Sequence, residues 1–257
     1  MMNREEFKKV LETVGVIGQL GNEEVLFFKA HKNSTSAFNV SQLYDMYQEN
    51  FVRNHTVIDF IDSSKKLYLD VNDAVEVPND FADIIGYYRV ICDETLEGIH
   101  SYVLQKNMAV SITKEQAIAN MLRRGIVFET MSQTITRLES KIPYSAEESY
   151  SLDAFRNVVA NIEEEYMYKF SNSTASSGML LLASPEILDI IFERFGSFFI
   201  LPSSNKELLI FPSEDLSDIR HLKKIVKEIN SDSGVITPED FFTDTIFFYN
   251  GTELMEF

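Results

Sequence analysis

The chain has 257 residues, 45% of them hydrophobic and 25% charged, enough to bury roughly three quarters of its unfolded surface in one large domain or two modest ones. Forty acidic against 23 basic residues leave a net charge of -17, which repels phosphate backbones and anionic membranes and argues against direct nucleic-acid binding. One cysteine, Cys92, excludes an intramolecular disulfide, and four scattered histidines build no zinc set. No apolar run reaches the roughly 18 residues of a membrane span, and MMNREEFKKVLETV has acids where a signal peptide needs an apolar run, so a cytoplasmic protein is expected.

Twenty Phe and 11 Tyr predict substantial strand content. At the start, Asn3 and Glu6 form a capping-box pattern, and Phe7, Val10, Leu11 and Val14 predict a helix over 4–14 ending near Gly15. EEVLFFKA reads as a strand, HKNSTS as a turn and AFNV as a returning strand, after which Ser41 caps a helix carrying Leu43, Met46, Tyr47 and Phe51. A further helix is expected from Thr56 to Leu67, with Val57, Ile58, Ile61 and Leu67 on one face. GYYRVIC and HSYVLQ read as strands around the polar DETLEG. Thr113 to Gln116 opens a second capped helix that stops at Gly125, and ETMSQTITRLES adds another.

KIPYSAEESYS, with its Pro, several Ser and two adjacent Glu, is the best linker, and SLDAFRNVVANIE beyond it is helical. EYMYKF and GMLLLA read as strands around SNSTASS, and Ser184-Pro185 starts a helix with Ile187, Leu188, Ile191 and Phe195 inward, ending at Gly196. SFFIL and ELLIF form a hairpin, a helix runs from about Leu216 to Ile229, and a Pro238-initiated turn follows. TIFFY and ELMEF then join through Asn250-Gly251. The expected fold is α+β, with antiparallel sheets, packed helices and a strand–turn–strand–helix order occurring about three times. Two lobes, 1–140 and 151–257, are expected on either side of a linker at 141–150. The runs FFIL, LLIF and TIFFY alternate too little for sheets wet on one face and predict central strands.

The string ILPSSNKELLIFP, preceded by SSGMLLLASPEILDIIFERFG and followed by VITPEDFFTDTIFFYNG, resembles the C-terminal half of a bacterial family of uncharacterised proteins. FKAHKN, QLYDMYQENF and SITKEQAIANM also resemble that family's layout, so the likeness covers most of the chain. Its members, common in Gram-positive gut bacteria and their mobile elements, carry a Pro-Ser-Ser-x-His-Glu hairpin; here Lys206 stands in place of the His. The resemblance implies a fold and no activity.

Ser203, Ser204, Lys206 and Glu207 offer a hydroxyl, an amine and a carboxylate. A Ser–Lys nucleophile, however, needs a desolvated amine within reach of the hydroxyl, and Pro, Ser and Asn are what a tight turn requires. The stretch is therefore read as a turn, with Lys206 and Glu207 available for contact with a partner. Lys32 and Asn33, beside His31, sit at another predicted hairpin tip and are further binding candidates. Gly15, Gly18 and Gly21 are spaced wrongly for a dinucleotide fingerprint, so no cofactor and no metal are expected, and no catalytic residue is assigned. The acidic pairs Glu147-Glu148 and Glu163-Glu164, the latter extended by Glu165, read as solvated faces or, with Asp153, as a mimic of a row of phosphates. The expected function is a non-enzymatic binding or interaction protein with a protein partner. Its rivals are an acidic inhibitor of a nucleic-acid-processing enzyme and a hydrolase with a site assembled from distant residues. The sequence sets no oligomeric state.

Overall fold

Asn3 opens the first helix as its pattern predicts: its Oδ1 accepts from the Glu6 N–H, and the Glu6 carboxylate accepts from the Asn3 N–H, both at 2.9 Å. That reciprocal cap starts α1 (Arg4–Glu12). The structure, a computed structural model, describes all residues except 32–33, 67–70, 96–97, 109, 140–147, 173–177, 203, 205, 214, 216, 218 and 232–240. Among the described residues, eight α-helices and three antiparallel sheets make an α+β fold.

The first sheet, in the order β1-β2-β3, comprises β1 (Val16–Leu20), β2 (Glu23–His31) and β3 (Ser34–Asn39). β1 is absent from the sequence reading, because its five residues, VIGQL, are broken by Gly18 and carry a weak alternation. Asn39, rather than Ser41, caps α2 (Val40–His55), its Oδ1 accepting from the Gln42 N–H at 3.1 Å. Phe7 of α1 packs on α2, with its ring centroid 5.4 Å from that of Tyr44 and 5.1 Å from that of Tyr47.

β4 (Thr56–Asp62) corrects the helix expected over 56–67. Thr56 to Ile61 are buried on both faces, so apolar residues occupy both, and the i, i+3, i+4 spacing of Val57, Ile58 and Ile61 carries no information about period. The β-branched run Thr56-Val57-Ile58 favours the strand. After a short 3₁₀ turn (Ser63–Lys65) come β5 (Glu76–Val77), β6 (Ile84–Thr95) and β7 (Gly98–Val103). β6 pairs with β4 along one side and with β5 and β7 along the other, which makes the four-stranded sheet. Thr113 then caps α3 (Lys114–Leu122). From this helix the Asn120 side-chain amide donates to the Arg53 and Thr56 carbonyls at 2.7 and 2.8 Å, tying α3 across the junction of α2 and β4.

The remaining elements are β8 (Ile126–Thr130), α4 (Met131–Glu139), β9 (Glu148–Ser149), α5 (Leu152–Asn161) and β10 (Tyr168–Asn172), followed by α6 (Leu180–Ala183) and α7 (Pro185–Phe195). Last come β11 (Phe198–Pro202), β12 (Glu207–Pro212), α8 (Ile219–Ser231), β13 (Phe247–Tyr249) and β14 (Leu254–Glu256). Their strands form one sheet in the order β14-β13-β11-β12-β10-β8-β9, which takes strands from both sides of residues 141–150. GMLLLA is not a strand: its buried core is the single helical turn α6, a case where a short apolar run reads equally as either element. Pro185 does occupy the first turn of α7, but the Ser184 hydroxyl donates to the Glu186 carboxylate at 2.8 Å instead of capping the backbone. The Pro238 turn lies outside the described residues.

The apolar runs of β11 and β12 are central strands. One face of the seven-stranded sheet, with Phe128, Tyr168, Phe170, Phe198, Ile210 and Phe247, joins α5, α6, α7 and the four-stranded sheet in the main core. On the opposite face Phe199, Leu201, Phe211 and Phe248 pack against Leu222 and Val226 of α8. Farther along that second face, under α4, the sheet turns from apolar to charged.

Candidate functional site

Antiparallel register builds this charged patch. β10 lies between β8 and β12, with Lys169 opposite Glu129 on one side and opposite Leu209 on the other, while Ser171 faces Glu207. Since side chains alternate along a strand, Glu129, Lys169, Ser171 and Glu207 project from the same face. Thr130 closes β8 and caps α4: its Oγ1 accepts from the Gln133 N–H at 3.1 Å, and its N–H donates to Gln133 Oε1 at 2.9 Å. Two turns into α4, Arg137 comes back over Glu129, with Nη2 2.7 Å from Oε1 and Nε 3.4 Å from Oε2. Lys169 Nζ stands 2.9 Å from Glu129 Oε1 and 3.6 Å from Glu207 Oε2. Glu129 is 4% exposed and Lys169 8%, so this pair is withdrawn from water, while the partly exposed Arg137 and Glu207 complete a charge-balanced group at its solvent side.

Burial pushes the Glu129 carboxyl upward, but the hydrogen bonds from Arg137 and Lys169 together outweigh it and hold the group below the usual carboxylate range. The bond to Glu129 raises Arg137 in turn. A carboxylate gripped by two cations is a weak base, and an ammonium between two carboxylates is a weak nucleophile.

The hairpin enters this network through Glu207. Ser204, 7% exposed, holds the turn: its hydroxyl oxygen accepts from the Lys206 and Glu207 N–H groups at 3.1 and 3.2 Å, and its own N–H donates to the Glu207 carbonyl at 3.3 Å. The Ser204 oxygen is thus engaged by backbone, as the turn reading expects, and Lys206 is exposed. Ser203 lies outside the described residues. Gly178 fits the chain closely against this point, since a Cβ there would come within 3.0 Å of the Glu207 backbone.

The structure separates the other candidate residues. Lys32, Asn33 and Glu147 lie outside the described residues. Glu148 sits half-buried in β9 opposite Val127 and accepts from the Tyr150 hydroxyl, a bond that pushes the Tyr150 pKa up. The Glu163 carbonyl accepts from the Tyr168 hydroxyl at 3.2 Å, and the exposed Glu164 carboxylate lies 3.2 Å from Arg194 Nη2 of α7. Glu165 is a helix cap at the start of α4: hydrogen bonds from the Ser132 hydroxyl and, at 3.2 Å, from the Ser132 N–H lower its pKa. Glu148 and Glu165 therefore lie near opposite ends of β8, and Lys206 and Glu207 share a third place at the hairpin. Sequence reasoning misses Glu129, Arg137 and Lys169; the available signal was a Glu in IVFET and a Lys in YMYKFS, single charges inside otherwise buried strands.

A second buried carboxylate lies in the four-stranded sheet. Asp59, 4% exposed, accepts from the Phe60 N–H at 2.9 Å and the Tyr87 hydroxyl at 3.3 Å, and pairs with Arg89 Nη2 at 3.1 Å. Burial raises its pKa against the pull of Arg89. Burial likewise raises the Tyr87 phenol. Among the described residues no group of three or more His, Cys, Asp or Glu is placed to hold a metal ion, and no helix is long and apolar enough to cross a membrane.

Fold and site together define an α+β protein whose buried charges are paired with one another inside its sheets. The chain belongs to a family of unknown function, DUF5688, which matches residues 31–251 and so spans the elements from β3 to β13. No curated protein and no solved structure matches it.

Proposed function

We propose that the protein is a non-enzymatic binding module that works through its surface on a protein partner. The observation that carries this reading is the mutual pairing of Glu129, Lys169, Arg137 and Glu207, which engages the carboxylate and the amine that a hydrolytic site would need as base and nucleophile. The exposed Lys206, at the tip of the hairpin that Glu207 anchors, is the contact point assigned here, with Lys32 and Asn33 as further contacts. The setting that fits the charge and the sequence resemblance is the cytoplasm of a bacterium. Affinity capture from that host at low salt, followed by mass spectrometry, is expected to recover one protein in near-equal amount with the wild type and to lose it with Lys206→Glu. A hydrolytic activity abolished in folded Glu129→Gln would overturn the reading.

One observation favours a second reading, an acidic inhibitor of a nucleic-acid-processing enzyme. Residues 1–39 hold five acidic and five basic residues, so the whole net charge of -17 falls on residues 40–257. On this reading the captured partner is a nucleic-acid-binding protein, and its retention falls steeply as salt is raised.

A further inference from the structure

Among the described residues, no strand pairs with the outer edge of the three-stranded sheet at β1. β1 is bonded to β2 on one side only, and its sequence, VIGQL, has neither a charge nor a proline, the usual devices that stop sheet edges from pairing. The seven-stranded sheet is different: its β9 edge is two residues long, and its β14 edge is met by a loop, where the Ala82 N–H donates to Glu256 Oε2 at 2.8 Å. On β1, Val16 is 70% and Leu20 65% exposed, and the two project to the same face on either side of Gly18. α1 does not cover them, because its Lys8 reaches Glu24 at 2.7 Å, and Glu24, opposite Gln19, points to the other face.

We propose that β1 pairs antiparallel with β1 of a second copy of this chain, joining two three-stranded sheets into one of six. VIGQL is self-complementary in that arrangement. With Gly18 on the two-fold axis, Val16 of each copy lies across from Leu20 of the other, and Ile17 across from Gln19, so each apolar side chain on the open face gains an apolar neighbour. One contact closes both open edges. Charge selects the same place: two copies at -17 repel one another, and residues 1–39, with five acidic against five basic residues, are the stretch that adds nothing to that repulsion. Four apolar side chains and a five-residue ladder fall short of the roughly 1,200–2,000 Å² of a standard stable interface, so the dimer forms and dissociates with concentration. The pairing strand lies outside the span matched to the DUF5688 family, which begins at residue 31.

Sedimentation velocity over a concentration series tests this with the full chain. The expected result is a mass that rises from 29.5 kDa toward twice that value, with dimerisation at least ten-fold weaker in Leu20→Lys. Both β1 positions are exposed, so the variant keeps its fold, which circular dichroism verifies. Oxidative cross-linking reads the register in a Cys92→Ser background, where no native thiol competes. Val16→Cys with Leu20→Cys should trap a covalent dimer, whereas Val16→Cys alone should not, since the two copies of residue 16 lie four residues apart along the strands. A monomer at every concentration overturns the proposal and leaves the edge to a strand from a different protein. A dimer that Leu20→Lys does not weaken also overturns it, because its interface must then lie elsewhere.

Discussion

Glu129 in the seven-stranded sheet and Asp59 in the four-stranded sheet are equally hidden, at 4% exposure each, and each is paired with an arginine, yet their acidities move in opposite directions. Burial is the largest influence on both and acts upward on both. Glu129 has a second cation, Lys169, directly across the ladder, and the two hydrogen-bonded cations together bring it below the ordinary range. Asp59 has Arg89, a phenol and one backbone N–H, and these do not offset its desolvation. Two things separate them: Glu129 belongs to a network whose Arg137 and Glu207 reach solvent, so its desolvation is weaker, and it holds a second cation that Asp59 lacks.

Placing new carboxylates in the sheet is the harshest way to break that comparison. Leu208 is fully buried in the main core, so Leu208→Asp strands an uncompensated charge and should cost more than about 4 kcal/mol, leaving the protein unfolded or insoluble. Leu209 next to it is half-buried on the other face and lies across from Lys169, so Leu209→Asp should stay folded with a much smaller loss. Equal damage at the two positions in urea titrations would show that proximity to Lys169 does not matter. Removing the cation itself comes next: Lys169→Met leaves Glu129 and Glu207 with one partner fewer and should cost of order 3 kcal/mol by the same measurement.

Acid separates the two carboxylates without changing the packing. The lowered Glu129 contributes stability that is present above its unfolded pKa of about 4.3 and is lost as pH falls through its folded value. Glu129→Gln is therefore costly at neutral pH, and its cost shrinks on acidification. Asp59, raised, behaves in reverse: stability is highest when it is protonated and declines as pH rises from its unfolded value of about 3.9 through the folded one. Asp59→Asn lacks that decline, so its cost shrinks as pH rises. Denaturation midpoints from pH 3 to 7 should give difference curves of opposite slope, each no steeper than about 1.4 kcal/mol per pH unit for a single proton.

Much of this fold is legible in local chemistry. Asn3, Thr113 and Gly196 mark helix ends where their patterns place them, and the Asn250-Gly251 turn joins β13 to β14 with Gly251 at φ +87°. The misreadings at β4 and α6 occur where burial on every side erases the period that separates strand from helix. The charged network is illegible for another reason. Glu129, Arg137, Lys169 and Glu207 come from four different elements, brought together by the register of β8, β10 and β12 and by α4 folding back over β8. Within each local window a lone charge carries no sign of its partner.

The smallest effect bears on whether the hairpin is a structural tether or a chemical group. Ser204 accepts two backbone N–H bonds and thereby sets the position of Glu207, which reaches Lys169 at 3.6 Å. Ser204→Ala should lose about 1 kcal/mol, the worth of a turn hydrogen bond, measured as a shift in the urea midpoint at unchanged slope. If the hydroxyl acts through Glu207, Ser204→Ala combined with Glu207→Gln should cost less than the sum of the two single losses, since each change weakens the same link to Lys169. Strict additivity would mean that the turn and the buried network are independent.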